Sequence, residues 1–169
     1  YSRFRAPWDI GPRAELVQLV ESGRLQPCRA IDLGSGTASN AVFLAQHGFD
    51  VTGVDYAQAA IDLGRQRAAD AGVNATFIVD DLTNLRYISG TFDLLVDYGV
   101  LDDLTNRDRE LYVRNILPLT HAGSQFLLYA FEWTPRWWER MFGIHERMAL
   151  LPGEAERRFS DFFSIEQIA

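Results

Sequence analysis

The 169-residue chain contains no lysine; all 16 of its basic residues are arginine. Without an amine nucleophile, Schiff-base chemistry, pyridoxal-phosphate anchoring and the lysine of a phosphate-binding P-loop are excluded. Cysteine is almost as scarce. Cys28 stands alone, so no internal disulfide can form, which fits a reducing cytoplasm. Placed just before an apolar run, it reads as a small buried filler. No apolar stretch approaches the ~18 to 20 residues of a membrane span, and no basic segment leads into a short apolar one as in a secretory signal. Tyr1 rather than Met stands first, so a trimmed start is expected. Metal-ligand spacing of His, Cys or carboxylates is missing, and so is a Ser-His-Asp signature. A basic stripe is absent as well. With 23 acidic residues and a net charge of −7, nucleic acid is poorly supported as a partner.

What is present is the composition of one soluble domain, 47% apolar and 23% charged, long enough to bury a core. Short β-branched or aromatic runs alternate with helical patterns. Strands are expected at 29–33, 50–54, 75–79, 92–96 and 125–131, and helices at 37–47, 57–71 and 106–117. Such alternation means a doubly wound α/β fold with a mostly parallel sheet. An amphipathic helix over 11–22 precedes it. Residues 1–28 form a leader or lid, 29–131 the core, 132–158 an aromatic-rich insertion and 159–169 a sixth strand.

Gly34-Ser35-Gly36 follows the first strand and opens a helix. Glycine lets the backbone turn tightly against a ligand, and the helix start offers unpaired N–H groups. Asp55 ends the second strand, where nucleoside binders of this architecture hold both ribose hydroxyls. Asp32 discriminates between ligands. A carboxylate beside the glycine turn would repel a pyrophosphate, yet would favour a ligand carrying an ammonium and a sulfonium. The third glycine of a dinucleotide fingerprint would fall at Ser39. An NAD(P)-dependent oxidoreductase is therefore disfavoured.

With these segments in order, the chain resembles the class I S-adenosylmethionine-dependent methyltransferases. AIDLGSGTASNAVFLAQHG is similar to their glycine-rich signature and VTGVDYAQAAIDLGRQRA to the next strand and helix. IVDDLTNL and GTFDLLVDYGVLDDL resemble the segments around their third and fourth strands, and the leader APWDIGPRAELVQLVESGRL that of bacterial thiopurine and small-molecule members. The resemblance implies S-adenosylmethionine as cofactor and S-adenosylhomocysteine as product. It places Asp32, Gly34, Ser35, Gly36 and Thr37 at the methionyl end, Asp55 on the ribose and Tyr56 along the adenine. Asp81, rather than Asp80, would accept from the adenine amine because it immediately precedes the apolar residue. Leu82 would offer its backbone N–H. Asp97 and Tyr98 would lie near the methionine, with Trp8 of the leader at the same site.

The acceptor side is less marked. Where many relatives carry a His-rich loop, this chain has Leu101-Asp102-Asp103-Leu104. Asp102 or Asp103 could act as a base, meet a cationic acceptor, or cap the helix before Asn106. His145 is the remaining candidate base; His47 and His121 read as surface residues. Trp133, Trp137 and Trp138 would wall an apolar or aromatic acceptor, with Arg136 and Arg140 four apart for an acidic group. A module that binds the cofactor without catalysis is the alternative. The enzyme reading is a cytoplasmic monomer or weak homodimer acting on a small molecule. Because the family's sheet ends in a further strand, residues beyond 169 are expected.

Overall fold

The computed structural model describes residues 11–142 and 149–167. Five parallel strands, β1 (Arg29–Leu33), β2 (Asp50–Asp55), β3 (Thr76–Val79), β4 (Leu94–Tyr98) and β5 (Gln125–Tyr129), form one sheet in the order β3-β2-β1-β4-β5. Helices α1 (Ala14–Glu21), α2 (Ser39–Gln46), α3 (Gln58–Asp70), α4 (Asn106–Ile116), α5 (Trp137–Phe142) and α6 (Glu154–Phe159) surround it. This is the doubly wound arrangement expected. The strand order reverses between β1 and β4, and such a switch point opens a crevice at the carboxyl ends of the strands. Among the described residues, no helix is long and apolar enough to cross a membrane.

Period-two alternation divides the core. Ala30, Leu94 and Val96 face α1, α2 and α3 with Leu16, Leu44 and Ile61, whereas Ile31, Leu33 and Leu95 face α4 and α6 with Tyr112, Ile116 and Phe159. The central strands are buried on both faces, which is why they read as unbroken apolar runs.

Four expectations change. The fourth strand starts at Leu94, because Phe92 donates its N–H to the Leu119 carbonyl and Asp93 accepts the Arg29 N–H. It then runs on through Asp97 and Tyr98, while β5 stops at Tyr129. A sixth strand does not form among 159–167: Phe159 ends helix α6, and the residues after it make turns and irregular backbone. Phe159 and Phe163 instead pack on Phe126. Among the described residues, β5 pairs with β4 only. Residues 168 and 169 lie outside the described residues. Cys28 is half-buried rather than sealed in, and burial, then Asp93, pushes its thiol pKa up.

Asp97 is buried outright on the α4 side of β4. It accepts from the Val100 N–H at 2.8 Å and from the Tyr112 hydroxyl at 2.6 Å. Removing one partner of a buried charged group costs about 1–3 kcal/mol. Tyr112→Phe is therefore expected to lower the urea unfolding free energy by about that much. An unchanged midpoint would show that the hydroxyl is dispensable.

Candidate functional site

The glycine turn lies at the switch point. Ser35 donates its N–H to the Val54 carbonyl at 2.8 Å, and Gly36 donates its own to Asp55 Oδ2 at 2.9 Å. The other Asp55 oxygen accepts from the Ala57 N–H at 2.9 Å. One carboxylate at the end of β2 thus shapes both the turn and the entry to α3, and its remaining lone pairs can still accept. Gly34 has φ +70°, and a Cβ there would overlap the Val100 methyl. Gly34→Ala would combine backbone strain with that clash. We expect loss of S-adenosylhomocysteine binding in calorimetry and a lowered melting temperature; wild-type behaviour in both would contradict this account of the turn.

Asp32 lies two residues before Gly34, 2% exposed, with Oδ2 buried and unpartnered. Burial, then the nearby Asp97 and Asp55 charges, against an opposing Ala41 amide, pushes its pKa up to about 7. A sequestered carboxylate with an unanswered oxygen asks for a donor or cation. That fits the ammonium of a methionyl group and does not fit a pyrophosphate.

The other residues expected at the cofactor are distributed as follows. Asp80 and Asp81 separate cleanly: Asp80 is buried and accepts from the N–H groups of Asp81, Arg86 and Tyr87, a purely internal task. Asp81 is exposed and uses Oδ1 to hold Thr83 in a tight turn. Leu82 is buried beside it and Tyr56 is 83% exposed next to Asp55. Thr37 lies half-buried in the turn, its carbonyl accepting from Arg67 of α3 at 2.9 Å.

Asp97 departs from the expectation. Its register partner is Leu33, so its side chain lies on the sheet face opposite Asp32 and is spent on the β4–α4 loop. Tyr98, one residue on, faces α1. Its hydroxyl donates to Glu15 at 3.3 Å and its ring stacks on Tyr129 with centroids 5.2 Å apart. Burial, then Glu15, raises its pKa. Tyr129 in turn meets Phe131 edge-on at 5.8 Å, so an aromatic ladder leads from the end of β4 toward Trp133.

On the acceptor side, neither Asp102 nor Asp103 caps α4. Thr105 does, accepting from the Asp108 N–H. Asp102 is buried, with Oδ2 accepting the Phe131 N–H at 3.0 Å and Oδ1 unpartnered. Asp103 is exposed, its pKa raised by partial burial and then by Asp102. Trp133, Trp137 and Trp138 are 54%, 74% and 38% exposed, and Arg136 precedes α5 rather than sharing its face. Trp8 and His145 lie outside the described residues. His47 and His121 are exposed, on the Phe43 carbonyl and Asp93 respectively. A groove of about 850 Å³ runs along β5, lined by Tyr98, Tyr129 and Phe163, and neither Gly34 nor Asp55 borders it.

Comparison with known proteins gives the family and the fold. The methyltransferase domain family matches residues 30–123. The chain belongs to that family. It is 32% identical, over 76% of its length and 57% of the other's, to a 2-heptyl-1-hydroxyquinolin-4(1H)-one methyltransferase of Mycobacteroides abscessus. A solved structure concerned with converting a disulfide bond into a thioacetal group during echinomycin biosynthesis is 31% identical with a TM-score of 0.64. It covers 69% of this chain and 48% of its own. Magnesium protoporphyrin IX methyltransferase from Synechocystis PCC 6803 with bound SAH shares the fold at TM-score 0.74 and 20% identity, over 91% of this chain and 72% of that one. The chain thus spans about half the length of the first two of these relatives. With the family come the class I methyltransferase fold and S-adenosylmethionine as its cofactor.

Two arginines with structural partners carry no local sequence signal: Arg67, which braces the glycine turn through the Thr37 carbonyl and Ser39, and Arg109 of α4, which donates to the Leu101 carbonyl in the loop after β4. Charged residues within helical patterns read as solvated unless the fold brings a partner.

Proposed function

We propose that this methyltransferase domain passes a methyl group from S-adenosylmethionine to a small apolar or aromatic acceptor. The observation that carries the reading is the buried, unpartnered Asp32 oxygen beside a glycine turn braced by Asp55. S-adenosylmethionine supplies an electrophilic methyl on a sulfonium when bound. Asp32 and the 34–37 turn would hold the methionyl group, Asp55 the ribose, Tyr56 and the Leu82 N–H the adenine, and Asp81 its amine. Tyr98 would close the methionyl end. Asp97 would contribute through the loop it shapes rather than through its own oxygens.

The aromatic ladder and the exposed Trp133, Trp137 and Trp138 support a planar, apolar acceptor. Aromatic walls exclude water and orient such a group. Asp102 accepts the Phe131 N–H with one buried oxygen and leaves the other unpartnered, and Asp103 is the exposed carboxylate of the loop. An acceptor that ionises readily, such as a thiol or an N-hydroxy group, would need little help from either. The relative named for a hydroxyquinolone fits that chemistry. We place the protein in the cytoplasm, as the single cysteine leads one to expect. Labelled S-adenosylmethionine incubated with 2-heptyl-1-hydroxyquinolin-4(1H)-one, aromatic thiols, phenols and amines tests the proposal. Transfer to an aromatic N-hydroxy or thiol acceptor supports it, and transfer only to polypeptide or nucleic acid would overturn it.

A further inference from the structure

Arg109 stands in the first turn of α4 and is 3% exposed. A guanidinium this deeply buried must have its donors answered. Nε donates to the Leu101 carbonyl at 3.0 Å, one terminal nitrogen to the Asp102 and Ala149 carbonyls at 2.9 Å each, and the other to both Glu154 oxygens at 3.2 and 3.3 Å. Leu101 and Asp102 belong to the loop that leaves β4 just after Tyr98. Ala149 and Glu154 belong to the stretch where the chain comes back from the aromatic insertion.

Further bonds tie these same pieces together. Asp102 accepts the Phe131 N–H, Leu150 donates to the Phe131 carbonyl at 2.7 Å, and Trp133 donates to Leu150 at 2.8 Å. Glu154 also accepts the Leu151 N–H at 2.9 Å. Residues 131–133, which lead toward Trp137 and Trp138, and residues 149–154 are therefore fastened to the β4 loop around one side chain.

We infer that Arg109 is a positioning residue, setting the aromatic wall of the acceptor side against the end of β4. The inference rests on the methyltransferase reading above. A buried ion pair by itself would not require arginine here, since apolar residues of similar volume hold a core as well or better. What they cannot do is fix carbonyls from two separate segments, and the planar five-donor fork of arginine can. A wall displaced by about 1 Å from the reacting edge costs on the order of 100-fold in rate. The bonds that shape the cofactor turn, from Ser35, Gly36 and Ala57, do not pass through this network.

The test combines amide hydrogen exchange, urea unfolding and S-adenosylhomocysteine calorimetry on the wild type, Arg109→Met and Arg109→Lys. In Arg109→Met the Phe131, Trp133, Leu150 and Leu151 amides should exchange at least tenfold faster. The Gly36 and Ala57 amides and the affinity for S-adenosylhomocysteine should stay within about twofold. Arg109→Lys keeps a charge beside Glu154 but loses the fork, so it should recover the unfolding midpoint more fully than the local protection. If Arg109→Met does not fold, the lysine variant carries the comparison. Uniform acceleration at both sets of amides, or midpoint and protection recovering together, would overturn the inference. Failure of the wild type to bind S-adenosylhomocysteine would instead contradict the methyltransferase reading and leave the exchange comparison standing.

Discussion

Asp55→Ala is expected to weaken S-adenosylhomocysteine binding by about 100-fold or more. Two backbone amides, Gly36 and Ala57, each donate to this carboxylate at 2.9 Å. Hydrogen bonds to a charged acceptor contribute about 1.5–3 kcal/mol each. Losing both relaxes the glycine turn and the start of α3 together, and the proposed ribose acceptor goes with them. Two bonds from the ribose hydroxyls to the carboxylate, at about 1.5 kcal/mol each, would amount to roughly 3 kcal/mol, which is about a 100-fold change in affinity. Asp55→Asn keeps one acceptor oxygen but turns an NH2 toward one of the amides, so it should fall between wild type and alanine. Calorimetric titration, with thermal unfolding to confirm that each variant is folded, reads the effect. Binding of Asp55→Ala within fivefold of wild type would contradict the role assigned to this side chain.

The second large effect is on pH. S-adenosylhomocysteine should bind about tenfold more weakly at pH 6 than at pH 8, and Asp32→Asn should flatten that profile. The charged groups acting on Asp32 are Asp97 from β4 and Asp55 from β2. The α2 helix brings no charged side chain, and Arg67 of α3 donates to the Thr37 carbonyl and Ser39. With its pKa raised to about 7, by burial first and then by those carboxylates, Asp32 is mostly protonated at pH 6. An ammonium beside it favours the ionised form, so binding must expel a proton at low pH and needs none at pH 8. Calorimetry in buffers of different ionisation enthalpy should show proton release near neutrality, and a flat wild-type profile would contradict the assignment.

The stability of the ligand-free protein should run the other way. Asp97, its pKa also raised to about 7 mainly by burial, behaves like Asp32. Between the unfolded value near 3.8 and about 7, the folded chain keeps protons that the unfolded chain has lost. Stability from these groups is present below the unfolded value and is lost as pH rises through about 7. Cofactor affinity and stability therefore oppose each other across the same window.

Much of this was legible because parallel strands buried on both faces read as continuous apolar runs bounded by glycine. The glycine turn and Asp55 announce themselves for the same reason: they serve backbone geometry, which leaves a local trace. Asp97 misled because a carboxylate after an apolar run reads as a strand end. In the fold it is a buried strand residue that accepts from the nearby Val100 N–H and from the hydroxyl of Tyr112, fifteen residues on. The apolar residues from Phe159 onward resemble a strand, yet Phe159 closes a helix in which Arg158 pairs with Glu154, and Phe159 and Phe163 pack their rings on Phe126. Arg109 was invisible for the converse reason. Its partners at 101, 102, 149 and 154 come together only through the topology.

The central claim is that the β1–β4 crevice is built for a cationic nucleoside and not for a dinucleotide. Calorimetric titration of the wild type with S-adenosylhomocysteine, NAD and NADP tests it most directly. The geometry of Asp32, Gly34, Gly36 and Asp55 predicts micromolar or tighter binding of S-adenosylhomocysteine and no measurable heat from the other two. Saturable binding of NAD or NADP in its place would contradict it.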